Sequence, residues 1–113
     1  MKPEITFEDF TKVDIRIGTI IEVTDFPKAK NPAYQLTIDF GELGIKKSSA
    51  QITNLYPKEN LLNKQIIAIV NFPKKQIANF FSECLVLGIV NSNHQVVLLQ
   101  SSQNAIKNGE IVS

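Results

Sequence analysis

The chain has one cysteine, one histidine and no tryptophan in 113 residues. The lone Cys84 excludes an internal disulfide framework and suits a reducing compartment. The lone His94, with no second histidine and no cysteine spaced as a partner, leaves no basis for a transition-metal centre. There is no glycine-rich phosphate loop and no nucleophile elbow, and the carboxylates are scattered. No catalytic residue, metal or cofactor is therefore expected, and the chain reads as a non-enzyme. Long hydrophobic runs are missing too. A stretch such as Ile66-Ile67-Ala68-Ile69-Val70 is far too short to span a bilayer. The start, Met1-Lys2-Pro3-Glu4, has no apolar segment to serve as a signal peptide, so a cytoplasmic location without membrane insertion is expected.

Net charge is nearly absent as well, at +1, but its distribution is uneven. Acids outnumber bases by three in residues 1–25, whereas bases outnumber acids by five in residues 26–75. A central excess of that size fits a solvated face as well as a binding surface. With 43% hydrophobic and 20% charged residues, the composition is that of one globular domain covering 1–113.

What is present is strand periodicity. Val13, Ile15, Ile17, Ile21 and Val23 keep odd-number spacing, which marks a long half-buried strand, with Gly18 at a bulge or bend. Tyr34, Leu36, Ile38 and Phe40 alternate with polar residues in a second strand, after the two-proline loop Phe26–Pro32. A third strand, Ile45 to about Gln51, is unusually polar. A short helical segment is predicted over 53–63, with Pro57 in its first turn. Gln65 to Phe72 reads as a strand buried on both faces. Glu83–Val90 and Gln95–Gln100 follow, joined by a turn at 91–94, and Asn108-Gly109 precedes a last short strand. Thr6 and Asp9 have the spacing of a helix cap before Phe10. Three strands, a helix and further strands match an all-β, five-stranded OB-fold barrel with short helices and extra terminal elements. Such barrels hold single-stranded nucleic acid or other extended ligands on strands 2 and 3 and the flanking loops.

Several segments are more specific. They are Asp14-Ile15-Arg16-Ile17-Gly18-Thr19-Ile20, Pro32 to Gly41, Lys46-Lys47-Ser48-Ser49-Ala50-Gln51-Ile52-Thr53, and Val70-Asn71-Phe72-Pro73. Together they resemble the CsaA branch of the tRNA-binding domain family, over essentially the whole chain. The resemblance implies a homodimer that binds tRNA or structured RNA, with a link to chaperoning of unfolded, exported polypeptides. The chain departs from the family pattern at Lys30-Asn31, where an Arg and a Lys are common, at Lys74-Lys75 in place of Pro-Arg, and at Phe81 in place of a base. Lysine lacks the planar fork of arginine and offers phosphate only a point charge, which implies weaker RNA binding.

The RNA-binding set expected from position and resemblance is Lys46, Lys47, Ser48, Ser49 and Gln51 on the third strand, flanked by loop lysines. Alternation puts Lys46, Ser48 and Ala50 on one side of that strand and Lys47, Ser49 and Gln51 on the other. A charged edge strand that discourages aggregation is the competing explanation for the same residues. Lys28 and Lys30 in the two-proline loop, with Lys74 and Lys75 after the fourth strand, close the walls of the same groove. Asn71 is read as a hydrogen-bonded structural residue that could also face RNA. Phe7, Phe10, Phe80 and Phe81 form the expected peptide or dimer surface. One of the adjacent pair Phe80 and Phe81 is expected in the core and the other outside.

Overall fold

A computed structural model describes residues 1–113. Thr6 and Asp9 exchange hydrogen bonds of 3.1 and 3.2 Å between side chain and backbone, capping the one-turn helix α1 (Phe7–Thr11). The strands β1 (Ile15–Asp25), β2 (Tyr34–Asp39) and β3 (Ile45–Ala50) form an antiparallel meander. A four-residue helix, α2 (Lys58–Leu61), leads into β4 (Gln65–Ile69), which returns to the other side of β1. The strands β5 (Lys75–Ile77) and β6 (Phe80–Ser82) make a separate hairpin, and β7 (Leu85–Val86) pairs with β4. A second hairpin of β8 (Gly88–Val90) and β9 (Val96–Leu98) follows, and β10 (Ile111–Val112) lies beside the start of β1.

The main sheet runs β3-β2-β1-β4-β7. Its β3 edge is met by residues 82–84: the Glu83 amide donates to the Lys47 carbonyl at 2.7 Å, and the Ser49 amide donates to Ser82 Oγ at 3.3 Å. These contacts close the sheet into an all-β OB-fold barrel. Ile20, Leu36, Ile38, Phe40, Leu61 and Ile66 fill it with no exposed area, each contributing roughly 1.5–3 kcal/mol of transfer free energy.

Five sequence expectations are corrected here. The odd-numbered stripe of the first strand is broken by a bulge between Ile20 and Glu22, which leaves Ile21 41% exposed and brings Ile20 into the core. Gly18 is not the bulge. It lies on the core face, where a Cβ would stand 2.7 Å from the Phe40 ring. The helix over 53–63 shrinks to Lys58–Leu61, with Pro57 as its cap position, because its neighbours turn to pack Ile52 and Tyr56 on the barrel. The fourth strand ends at Ile69 and buries only Ile66 and Ala68 fully, so it alternates as a half-buried strand does. Finally, 83–90 changes partners at Leu87, from β4 to β9, and Gly88 permits the close approach of Val96 there.

Candidate nucleic-acid interface

Strand β3 divides its residues by alternation. Ser48 and Ala50 point into the barrel, and Ser48 Oγ donates to the Cys84 carbonyl at 2.9 Å with only 1% of the residue exposed. That places Ser48 in the core, away from any ligand. Lys46 shares its face at the end of the barrel and is half-buried, and its positive charge reaches the Cys84 thiol. Lys47 and Ser49 take the outer face beside Thr37 and Gln35 of β2, and Gln51 lies exposed just beyond the strand.

The β5–β6 hairpin stands next to this face. Ser49, Gln51, Lys75 and Ser82 border a cleft of about 310 Å³. Its floor is apolar, formed by Ile52, Ile77, Leu85, Val86 and Val96. A neighbouring cleft of about 260 Å³ shares Lys75 and Ser82 and continues to Phe72 and Pro73. Glu83 ties the walls together. One of its carboxylate oxygens accepts from the Lys47 amide at 2.9 Å and the other faces Lys74 Nζ at 3.7 Å.

The two-proline loop is seated on the same hairpin. Phe26 and Ala33 pack on Phe80, with ring centroids of Phe26 and Phe80 5.3 Å apart, and Ala29 and Ile77 complete the cluster. Lys28 and Lys30, both exposed, are therefore carried by a loop anchored to the element that begins with Lys75. Lys28, Lys30, Lys46, Lys47 and Lys75 make no ion pair within the chain, unlike Lys74. Lys58 and Lys64 of the same basic segment lie elsewhere. Lys58 is bound to Asp25 at 2.9 Å, whose hydrogen bond and charge raise the ammonium pKa, and Lys64 sits over the Tyr56 ring.

The remaining expected residues are placed as follows. Asn71 Oδ1 accepts from the Asp14 amide at 3.0 Å and its Nδ2 donates to the Lys12 carbonyl at 2.8 Å, so both ends of the amide fasten α1 and β1 to the end of β4. Phe80 is buried, whereas Phe81 is 53% exposed. Phe7 is exposed and lies 6.1 Å from the half-buried Phe10. Cys84 is buried, and desolvation pushes its thiol from 9.0 up to about 11 despite the opposing Ser48 hydrogen bond, which leaves it unreactive at neutral pH. His94 sits in the β8–β9 turn with a left-handed φ of 61°.

Sequence reasoning missed Gln35, Thr37, Ser82 and Glu83, which neighbour the site through strand pairing that spacing alone does not reveal. It also missed the β5–β6 hairpin. The signal was present: two three-residue runs separated by Ala78-Asn79, with Ala78 at a left-handed φ of 54°.

The chain as a whole is similar to known proteins. Residues 15–110 match the family model described as "Putative tRNA binding domain". The chain is 31% identical over 111 residues to a methionine–tRNA ligase of Chlorobium chlorochromatii, and 34% identical over 99 residues to that of Methanococcoides burtonii. Those matches cover 98% and 88% of this chain but only 15% and 14% of the ligases, so the chain spans a small part of the curated relatives it matches. Among solved structures, chaperone CsaA of Bacillus anthracis superposes with a TM-score of 0.93 at 50% identity, covering 98% of this chain and all of that one. The CsaA chaperone protein of Picrophilus torridus gives 0.90 at 53% identity, over 97% of this chain and 100% of its own.

Proposed function

The chain belongs to the tRNA-binding domain family, in its CsaA branch, and from that premise we propose that it is a non-catalytic cytoplasmic protein holding tRNA or structured RNA on the outer face of β3. The observation that carries this reading is the cleft bordered by Ser49 and Gln51, at the end of β3, together with Lys75 and Ser82 of the adjoining hairpin. Lysine ammonium groups of Lys47 and Lys75, with Lys28 and Lys30 on the adjoining loop, meet phosphates. Ser49, Gln51 and the neighbouring Gln35 and Thr37 offer neutral donors and acceptors to 2′-hydroxyls and base edges. Phe81 supplies a ring on which an unpaired base can stack. The only arginine, Arg16, is held by Asp14 at 2.6 Å and by the Gly109 carbonyl at 3.0 Å, so every phosphate contact here falls to lysine. Four such contacts give a salt slope of roughly −2.8 to −3.6, a loss of about 50- to 150-fold in affinity between 50 and 200 mM salt.

A second reading is favoured by the apolar cleft floor and by Phe72, Leu85 and Phe81, which are 52%, 47% and 53% exposed. Extended unfolded polypeptides would lay apolar side chains into the two adjoining clefts. Titration of labelled tRNA and of an unfolded peptide at two salt concentrations separates the readings. RNA affinity falls steeply with salt, whereas apolar peptide binding holds or strengthens. A flat salt response for tRNA would remove the lysine surface. We further propose a homodimer built on the exposed apolar residues of the termini and last hairpin: Phe7, Ile89, Val90 and Ile111 are 58–79% exposed. A light-scattering mass of one chain at micromolar concentration would exclude it.

A further inference from the structure

A cleft of about 440 Å³, larger than either cleft beside β3, lies away from that strand. It opens where Thr19 of β1 meets Gln65 of β4, and shares no residue with the β3 surface. Asn63 and Lys64 form one wall, and the segment 100–105 forms the other. Eight of its nine lining residues are polar, Ala105 being the exception. None is a carboxylate that could balance a cation's charge, and Ala105 is the one apolar side chain offered to a ligand.

The walls are fixed while the lining is unspent. Gln65 Nε2 donates to the Ile106 carbonyl at 2.6 Å and to Asn108 Oδ1 at 3.1 Å, and Gln65 Oε1 accepts from the Ile106 amide at 3.2 Å. Thr19 Oγ1 donates to the same Asn108 oxygen at 2.7 Å, and Gln100 Nε2 donates to the Gln65 carbonyl at 3.3 Å. This lattice holds Asn63 and Ala105 at left-handed φ values of 67° and 56°, a conformation that is costly for alanine and that persists only where the surroundings over-determine it. By contrast, the side chains of Asn63, Gln103 and Asn104 make no hydrogen bond within the chain, and Lys64, whose ammonium lies 5.7 Å from the centre of the Tyr56 ring, makes no ion pair. Three primary amides and one ammonium, each with free donors, thus face a rigid space of ligand size.

We propose that this cleft binds a ribose-phosphate unit, with the Lys64 ammonium on the phosphate and the Asn63, Gln103 and Asn104 amides on the ribose hydroxyls and base edge. Primary amides supply both donors and acceptors, which matches hydroxyls that do both, and a single cation without a carboxylate partner matches one phosphate. The unit could come from a free nucleotide or from an RNA strand. The site stands apart from the β3 reading because it uses different residues.

The test is a chemical-shift titration of the ¹⁵N-labelled full chain with adenosine 5′-monophosphate, with a short single-stranded RNA and with the DNA of the same sequence. Saturable shifts at Asn63, Lys64 and Asn104 with the mononucleotide alone assign a nucleotide site, and shifts with the RNA assign a strand contact. Either result supports the proposal, provided that Lys64→Ala or Asn104→Ala weakens it about tenfold. The DNA arm is expected to bind several-fold more weakly than the RNA because the 2′-hydroxyl is missing. Signals of Ser49 and Gln51 report the β3 surface separately, so its failure is told apart from failure here. No shift at the cleft with any probe at millimolar concentration would overturn the proposal, as would equal response to ribo and deoxy probes.

Discussion

Ser48 and Ser49 are neighbours in sequence and opposites in the barrel, so replacing each by alanine separates stability from recognition. Ser48→Ala removes a buried hydroxyl that donates to the Cys84 carbonyl at 2.9 Å. That carbonyl still receives Ser82 Oγ at 3.3 Å, so it is not orphaned, and the loss is about one net hydrogen bond, roughly 0.5–1.5 kcal/mol. At about 2.1 cal/mol/K of unfolding entropy per residue, 113 residues lose roughly 4 °C of Tm per kcal/mol, which gives a fall of about 2–6 °C. The folded variant should bind tRNA as the parent does. Ser49→Ala removes an outward hydroxyl and should leave Tm within about 1 °C. It should weaken tRNA binding several-fold with an unchanged salt slope, because a neutral group displaces no ion. Calorimetry and fluorescence anisotropy at several salt concentrations supply both readouts. The inward and outward division of β3 would be refuted by a Ser48→Ala variant with parental Tm and weakened RNA binding.

Gly18→Ala introduces a methyl 2.7 Å from the buried Phe40 ring and 2.8 Å from Ile38, so overpacking should cost about 1–3 kcal/mol in denaturant titration. A cost near zero would mean that the ring moves freely. Asn71→Ala cuts the clamp on Asp14 and Lys12 and should lower stability by about 1–2 kcal/mol while leaving the salt slope of RNA binding alone; a changed slope would return Asn71 to the interface. With its thiol at about 11 against 9.0, Cys84 should alkylate with iodoacetamide at pH 8 about 100-fold more slowly in the native chain than in urea. Above pH 9 the unfolded chain sheds that proton while the folded chain keeps it until about 11. Stability should therefore fall across this window by roughly 2 kcal/mol more than in Cys84→Ala, and equal pH profiles would contradict the burial.

The barrel was legible wherever one strand face meets core and the other meets water. The residues 34–40 alternate without interruption because β2 sits between β1 and β3 with a single buried face. The same logic misread β1, where the bulge at Ile21 changes the parity and no residue type marks the position. On β3 the alternation placed Lys47 and Ser49 together correctly. It could not say that the Ser48 side is the inner one, since a lysine and a serine in that row look as wet as their neighbours. The answer depended on Cys84, a residue 36 positions away that offers its carbonyl. Lys28 and Lys30 meet the β5–β6 hairpin through Phe26 and Phe80, a long-range contact that local spacing does not encode.

The central claim is that lysines on β3 and the adjoining hairpin hold RNA phosphates. Its most direct measurement is the salt dependence of tRNA affinity for the Lys47→Ala/Lys75→Ala double variant beside a Lys2→Ala/Lys107→Ala control. Both control lysines are exposed and lie outside the cleft that Lys75 borders. Loss of two phosphate contacts should reduce the slope of log affinity against log salt by roughly 1.4 to 1.8, with the control unchanged from the parent. Equal slopes for the two double variants would contradict the lysine surface.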